Sequence, residues 1–300
     1  MQQYILSKVN MSIMSVESNV IIRDKVFANE RPDKTLKLNH LDIRDCTFAN
    51  MGFRESEFKE CDLSHNIFIS CYFKNTNLNQ VNFVGSKFIN CNFDGVKMQH
   101  CDMIYTIFED CCIDFNLVFN SLPSEYNLRE KLCKNLAIEC LRAGRDEDYK
   151  RFFFQERLAR EDHYFETFRL DQKTYYKIKS NNDKIIAFFR YITSKMSRYV
   201  WGYGENIYQL FGVMFLVNWI YSIIYWKSGN VFLYTIGNEE KFEIDYYNSF
   251  YHSICNFFTV SSGLYTDNNI TKIIMMSQYF IGVVFTGFFI ASLYKNINRR

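Results

Sequence analysis

Between Phe58 and Phe93 the sequence reads FKECDLSHNIFISCYFKNTNLNQVNFVGSKFINCNF. Every fifth residue in it is phenylalanine or leucine: Phe58, Leu63, Phe68, Phe73, Leu78, Phe83, Phe88 and Phe93. The column continues upstream through Leu38, Ile43, Phe48 and Phe53 and downstream through Met98, Met103, Phe108 and Ile113, sixteen large apolar residues in a row. Against a 48% apolar background such a run has a chance of roughly one in 10⁵, so the count fixes the period at five. Two positions before each member lies a second column that includes Cys46, Ser56, Cys61, Cys71, Thr76, Ser86, Cys91, Cys101, Thr106 and Cys111. Most of its members are small, and six of the ten cysteines fall in it.

A period of five fits neither a helix nor a flat strand. It fits a coil with four short sides, each sending one large and one small side chain inward. Sixteen pentapeptides make four coils, a rod roughly 19 Å tall at ~4.8 Å per stacked strand. With Cys61-Asp62-Leu63 and Thr76-Asn77-Leu78 close to a small–Asp/Asn–Leu core, the stretch Leu36–Phe115 resembles the pentapeptide-repeat family. That resemblance implies a right-handed quadrilateral β-helix. Some relatives mimic DNA, but here eleven acids against seven bases leave only a weakly acidic rod. The aligned cysteines are expected to be buried free thiols filling the core. They show no zinc-like spacing, so no metal is expected.

The whole chain carries 35 basic and 33 acidic residues, which argues against a nucleic-acid partner recruited by bulk charge. Only 2 prolines and 12 glycines occur in 300 residues, which points to long regular elements. The mean hydropathy of −0.20 conceals two unlike halves. Three stretches of about twenty residues lack Asp, Glu, Lys and Arg, namely Asn206–Trp226, Tyr246–Thr266 and Ile273–Tyr294. The Met1 end shows no secretory signal pattern, so the first two-thirds is expected to stay on the side of synthesis.

Between coil and apolar stretches, Pro123-Ser124 offers a helix start, and Leu128, Leu132 and Leu136 follow at helical spacing. Gly144 breaks the run, and Asp146 can cap a second helix carrying Tyr149, Phe152, Phe153 and Leu158. The pattern predicts a helical hairpin of tetratricopeptide type for packing and assembly. In Asn182–Val200, Ile185, Phe188, Phe189, Ile192, Met196 and Tyr199 share one face, with Lys184, Arg190, Lys195 and Arg198 largely off it. A basic amphipathic helix ahead of a span suits a membrane surface.

The first and third apolar stretches are long enough to span a bilayer. Trp219, Tyr225 and Trp226 are expected to mark an interface belt. The middle stretch holds Asn248, Ser249, His252, Ser253, Asn256, Thr259, Ser261 and Ser262, too polar to face lipid. A re-entrant segment buried in protein tolerates them. Tyr251–Val260 resembles the pore helix and filter entry of two-transmembrane potassium-type channels. The order of rod, hairpin, Trp201-Gly202-Tyr203-Gly204-Glu205 and channel is similar to bacterial pentapeptide-repeat ion-channel proteins. That resemblance implies a homotetramer around one pore, lined by Thr259, Val260, Ser261, Ser262 and Gly263.

The potassium motif Thr-Val-Gly-Tyr-Gly-Asp is replaced by Thr259-Val260-Ser261-Ser262-Gly263, followed by Leu264. A serine in left-handed backbone at 261 is expected to cost ~1–2 kcal/mol, and the aromatic position is taken by Ser262. The Thr259, Ser261 and Ser262 hydroxyls are expected to face partly hydrated monovalent cations, with weak potassium-over-sodium discrimination. Gly202-Tyr203-Gly204 is read as a joint before the first span. Gly282 and Gly287 in the second span allow close helix approach or a gating hinge.

Basic residues flank both spans outside the pair, at Lys184, Arg190, Lys195 and Arg198 and at Lys295, Arg299 and Arg300. The intervening loop carries Glu239, Glu240, Glu243, Asp245 and Asp267 against Lys227, Lys241 and Lys272. Positive-inside bias places both termini in the cytoplasm of a multi-pass plasma (inner) membrane protein, with Asp267 at an acidic outer mouth. The expected organisation is a cap over 1–35, the β-helix over 36–118, a hairpin over 119–181, an interfacial helix and joint over 182–206 and a pore domain over 207–300. The partners are lipid bilayer, monovalent cations, further copies of the chain and an unknown cytoplasmic ligand or protein. No Walker, HExxH, GxSxG or dinucleotide-binding pattern occurs, so neither an enzyme nor a cofactor is expected. The competing reading is a membrane-anchored binding scaffold with a vestigial pore.

Overall fold

The computed structural model describes residues 11–16, 19–32, 35–111, 113–169, 180–233, 242–266 and 268–297. Two compact units divide the chain, Met1–Tyr191 and Ile192–Arg300.

The first unit opens with a β-solenoid of about four turns. Its three-residue strands are β1 (Ile21–Arg23), β2 (Val26–Ala28), β3 (Lys37–Asn39), β4 (Asp42–Arg44), β5 (Thr47–Ala49) and β6 (Glu57–Lys59), then β7 (Ile67–Ile69), β8 (Asn77–Asn79), β9 (Lys87–Ile89), β10 (Lys97–Gln99) and β11 (Ile107–Glu109). One face is the parallel ladder β11-β9-β7-β5-β2 and another is β10-β8-β6-β3. Partners such as Phe48 and Phe68 lie one coil of four pentapeptides apart. Isolated bridges such as Gly52 to Tyr72 and Asp62 to Asn82 build the other two sides.

All sixteen members of the large column are buried. Their rings stack along the axis: Phe48 on Phe68 at 4.8 Å and Phe68 on Phe88 at 4.7 Å, with planes within 7°. That spacing is the strand repeat itself, so on this face one ring per coil stacks on the next without a gap.

The small column is buried too, and it has a second task beyond filling space. Core-facing carbonyls of the coil below keep a lone pair that these side chains reach, in some cases beside a backbone N–H, as the Ser56 N–H lies on the Phe53 carbonyl at 3.1 Å. Thr76 Oγ1 donates to the Phe53 carbonyl at 2.6 Å, Ser86 Oγ to Leu63 at 2.7 Å and Thr106 Oγ1 to Phe83 at 2.9 Å. Asn66 Nδ2 does the same to Ile43 at 2.6 Å, and Cys61 Sγ to Leu38 at 3.1 Å. Most members of the column are therefore side chains with a donor, which gains a buried hydrogen bond, while Leu41, Met51, Val81 and Val96 fill space alone. The nine described cysteines are free and buried. Burial pushes the Cys101 thiol up to about 11 and the Cys133 thiol up to about 12, so neither forms much thiolate at neutral pH.

The corners show a third periodicity. Every fifth residue from His40 to Asp110 has a positive φ, including His40, Asp45, Asn50, His65, Asn75, Asn90 and His100, with glycine at 85 and 95. Asn and Asp tolerate this left-handed conformation better than most side chains.

Pairing extends upstream of residue 36, since β1 pairs with β4 and β2 with β5. There the register steps by one extra residue, Phe27 facing Phe48, and Phe27 is fully buried at 4.8 Å from the Phe48 ring.

The other end is closed by helices. α1 (Phe115–Val118) is followed by α2 (Tyr126–Arg142) and α3 (Asp146–Arg169). α2 starts after Glu125, not at a Ser124 cap. Gly144 at φ 70° ends it, with the Arg145 N–H on the Cys140 carbonyl at 2.9 Å. Acidic residues Asp146, Glu147 and Asp148 then open α3, where the helix dipole favours them. On α2, Asn135 bonds both the N–H and the C=O of Phe108 at 2.8 Å, and Glu139 accepts from the Asp110 N–H at 2.7 Å. Two side chains one helical turn apart thus satisfy the open edge of β11, which would otherwise template further pairing. The hairpin is a lid on the coil.

α4 (Asn181–Trp201) follows. Each of its six expected apolar-face residues is exposed, Phe189 at 62% and Met196 at 60%. Phe188 also meets Phe168 of α3, ring centroids 5.4 Å apart.

In the second unit, α5 (Ile207–Ser228), α6 (Tyr246–Phe257) and α7 (Asn269–Ile297) pack together. Among the described residues, α5 and α7 are the two helices long and apolar enough to cross a membrane, and few of their residues are buried. Phe215, Trp219, Phe280 and Val283 are among the outward apolar side chains. A small sheet joins β12 (Phe232–Leu233) to β13 (Phe242–Glu243) and to β14 (Leu264–Tyr265).

Two outcomes test the coil. Phe73→Ala should cost about 3–5 kcal/mol in equilibrium unfolding, while Lys74→Ala should stay within about 0.5 kcal/mol; equal effects would contradict the phase. At pH 7.5 the six column cysteines should resist iodoacetamide in the native protein and react once it is denatured, read by peptide mass spectrometry.

Candidate functional site

α6 is twelve residues long. That gives ~18 Å, too short for a bilayer core of ~30 Å. Its start is fixed by Asp245, whose carboxylate accepts from the Asn248 N–H at 2.9 Å. Ser249, His252, Ser253, Cys255, Asn256 and Phe257 are buried between its neighbours, while Tyr251 and Ile254 stay exposed. The buried side is polar because both neighbours present polar groups to it.

Those groups form one network. Ser253 Oγ donates to the Asn218 carbonyl of α5 at 2.9 Å. From α7, Gln278 Nε2 donates to Ser253 Oγ at 2.7 Å and to the Ser253 carbonyl at 3.0 Å. Tyr225 of α5 donates its hydroxyl to Gln278 Oε1 at 2.7 Å. Tyr279 donates to Asn256 Oδ1 at 3.1 Å, and Asn256 Nδ2 meets His252 Nε2 at 3.0 Å. Asn218, Tyr225 and Gln278 were not singled out by sequence as parts of a site. The available signal was an amide inside each otherwise apolar span, where a polar residue marks an interior contact. Tyr225, expected in an interface belt, is instead fully buried, whereas Trp219 and Trp226 are about half exposed, at 44% and 49%.

The segment after α6 is held by the helix end. Thr259 lies at φ 56°, its N–H on the Asn256 carbonyl at 3.1 Å, and the Val260 N–H reaches the Cys255 carbonyl at 2.8 Å. This pair of bonds closes a helix through a left-handed residue, a place usually given to glycine. Gly263 is the other left-handed position, at φ 73°, and Ser261 is not one. The expected strain at Ser261 is therefore corrected: it falls on Thr259. Thr259, Val260, Ser261 and Gly263 are exposed and Ser262 is half-buried. The hydroxyls also differ from expectation. Ser262 Oγ points to His252 Nδ1 at 2.6 Å, and Thr259 Oγ1 donates to the Phe258 carbonyl at 2.7 Å. Asp267 lies outside the described residues, as do Glu239, Glu240, Lys241, Arg299 and Arg300.

The two candidate hinge glycines have different surroundings. A Cβ on Gly282 would sit 1.9 Å from the Phe257 carbonyl oxygen, so the end of α6 rests directly on α7 there. A Cβ on Gly287 would meet nothing within 4 Å. Gly202, Tyr203 and Gly204 form a buried turn between α4 and α5, all three at positive φ. Trp201 stacks on Phe288 at 4.6 Å, and Lys295 pairs with Glu205 at 2.5 Å. These contacts join the start of α5 to the end of α7.

On the solenoid, a cavity of about 740 Å³ is lined by Arg31, Thr35, Arg54, Tyr72, Asn90 and Asn92, among others. Among the described residues no group of three or more His, Cys, Asp or Glu is placed to hold a metal ion.

A model of pentapeptide repeats, with eight copies, matches residues 67–103, inside the solenoid. No curated protein matches the chain.

The glycine contacts carry a test. Gly282→Ala should destabilise the detergent-solubilised protein by about 1–3 kcal/mol or more through overpacking. Gly287→Ala should leave its thermal unfolding unchanged. The reverse ranking would contradict the seating of α6 on α7.

Proposed function

We propose that the chain is a homotetrameric cation channel of the two-transmembrane type, with α6 and Thr259–Gly263 as a re-entrant pore loop. One observation carries this reading: a helix of half-bilayer length is fixed between two apolar helices by buried hydrogen bonds, and the segment after it is left largely exposed. Irregular backbone at membrane depth needs burial in protein or a water-lined surface. Facing the same segment of three further copies around an axis would give it the second. Ion passage requires such oxygens to replace water of hydration.

On this reading α5 and α7 cross the membrane, both termini lie in the cytoplasm, and α4 lies along the inner surface through its exposed apolar face. The resemblance to pentapeptide-repeat proteins adds a right-handed sense to the coil. The solenoid serves assembly or gating, not chemistry, and the protein is not an enzyme.

Selectivity follows from charge more than size. The loop lacks the glycine and tyrosine of the potassium motif, and the sequence between the spans is acidic. We expect a cation conductance with poor potassium-over-sodium discrimination.

A second reading, a membrane-anchored scaffold with a silent pore, draws on the arginine-bearing cavity of the solenoid. Purified protein in planar bilayers separates the two. Cation currents with nearly equal reversal under biionic potassium and sodium support the channel. A strongly potassium-selective reversal would refute the weak-discrimination claim, an anion-selective one would refute the acidic mouth, and absence of current would favour the scaffold.

A further inference from the structure

His252 is fully buried on α6. Tyr225 of α5 covers its ring edge-to-face, centroids 5.0 Å apart. Its two nitrogens have different partners: Ser262 Oγ at 2.6 Å from Nδ1, and Asn256 Nδ2 at 3.0 Å from Nε2.

The Asn256 amide decides which nitrogen carries the proton. Its Nδ2 also donates to the Tyr225 hydroxyl at 3.4 Å, and that hydroxyl already gives its own proton to Gln278 Oε1, so the end of the amide facing the imidazole is the nitrogen, with Oδ1 left to accept from Tyr279 at 3.1 Å. An amide nitrogen only donates, so Nε2 must accept and the neutral ring holds its proton on Nδ1. Nδ1–H then donates to Ser262 Oγ. That oxygen also accepts from the Leu264 N–H at 3.3 Å. The chain of bonds runs from α7 through Tyr279, Asn256 and His252 to the middle of the exposed segment. The titratable groups facing His252 are Tyr225 from α5, by ring contact, and Tyr279 from α7, through Asn256, and among the described residues no carboxylate or lysine is bonded into this chain.

We propose that His252 is a positioning residue for the pore segment: its Nδ1–H clips Ser262, so that Ser262 acts as an anchor for Thr259–Gly263 and not as a hydroxyl ligand of the ion. This rests on the pore reading above for its consequence on ions, but not for the clip itself. The anchor explains why a serine stands where the potassium motif has an aromatic residue. A short hydroxyl reaches a buried imidazole that a ring at this position could not meet in the same way.

Two substitutions separate the nitrogens. His252→Asn places an amide nitrogen where Nδ1 stood and can still donate to Ser262. His252→Gln keeps a group at the Nε2 position and loses the clip. In bilayer recordings of chains that assemble like the wild type, His252→Asn should retain the wild-type potassium-to-sodium permeability ratio. His252→Gln and Ser262→Ala should each shift it by about three- to tenfold, the span of one lost buried hydrogen bond. The double variant should shift it no further, since both changes remove one interaction. Additive shifts would mean that Ser262 meets the ion independently, and His252→Asn behaving like His252→Gln would overturn the clip. Nitrogen-15 NMR of histidine-labelled protein in lipid nanodiscs gives a readout that needs no current. A proton on Nδ1 whose resonance moves in Ser262→Ala supports the proposal, and a proton on Nε2 overturns it. A silent pore with the Nδ1–H clip intact would fail the channel reading alone.

Discussion

Carbonyls turned into the core, each with a lone pair that water cannot reach, are the constraint on which the solenoid depends. A square coil cannot avoid making such carbonyls, because its short sides turn main-chain acceptors toward the axis, and some of them already hold one backbone N–H, as Phe53 and Phe83 hold those of Ser56 and Ser86. Thr76, Ser86, Thr106, Asn66 and the cysteines Cys61, Cys71, Cys91 and Cys101 meet them by donating across one coil. The phenylalanine stack supplies the apolar burial, and each side-chain bond to a core-facing carbonyl adds about 0.5–1.5 kcal/mol net. The rule also accounts for the cysteines more fully than packing does. A thiol fits where a methyl would, and it donates weakly as well. The terminal coil has open backbone groups of both kinds at its edge, and on α2 Asn135 pairs the N–H and the C=O of Phe108 while Glu139 accepts from the Asp110 N–H.

The helical unit obeys the constraint in another form. α5 and α7 are apolar outside, yet each turns an amide inward, Asn218 and Gln278, and Ser253 lies between them. These three close on one another so that α6 can carry polar residues on its buried side without a penalty for unmet groups. A network that is fully paired fixes orientation as well as position. The helix cannot rotate without breaking bonds to both neighbours.

Much of the solenoid was legible in the sequence because its signal is a count. The column from Leu38 to Ile113 needs no structure to be seen. Its upstream continuation was hidden by one residue: Ile22 and Phe27 keep the period of five, but Phe27 stands 21 residues before Phe48, out of phase with the rest. The left-handed corners were hidden because their residues share a backbone state and no side-chain class. At the candidate site, the segment Thr259–Gly263 and the polar side of α6 could be read from composition. Their partners could not, since Tyr225, Asn218 and Gln278 are 25 or more residues away along the chain and only packing selects them from the other polar residues nearby. The hydroxyl directions were misread for a related reason. Sequence gives a serine its donor and acceptor but not its rotamer, and at 262 the buried imidazole claims it.

Thr259 shows where the chain accepts strain. Gly144 closes α2 through a left-handed residue at no steric cost, and the Arg145 N–H caps the helix behind it. Thr259 closes α6 with the same pair of backbone bonds, but it is β-branched and at φ 56° it costs ~1–2 kcal/mol. Glycine would remove that cost and keep the turn. It would also remove the hydroxyl and stiffening side chain at the first exposed position of the segment. Backbone strain retained at an exposed turn, beside a fully paired buried network, points to a role for the side chain itself. On the channel reading that role is at the ion path: the network behind α6 supplies the rigidity, and Thr259 turns the chain from helix into the exposed segment while presenting its own carbonyl and side chain to it.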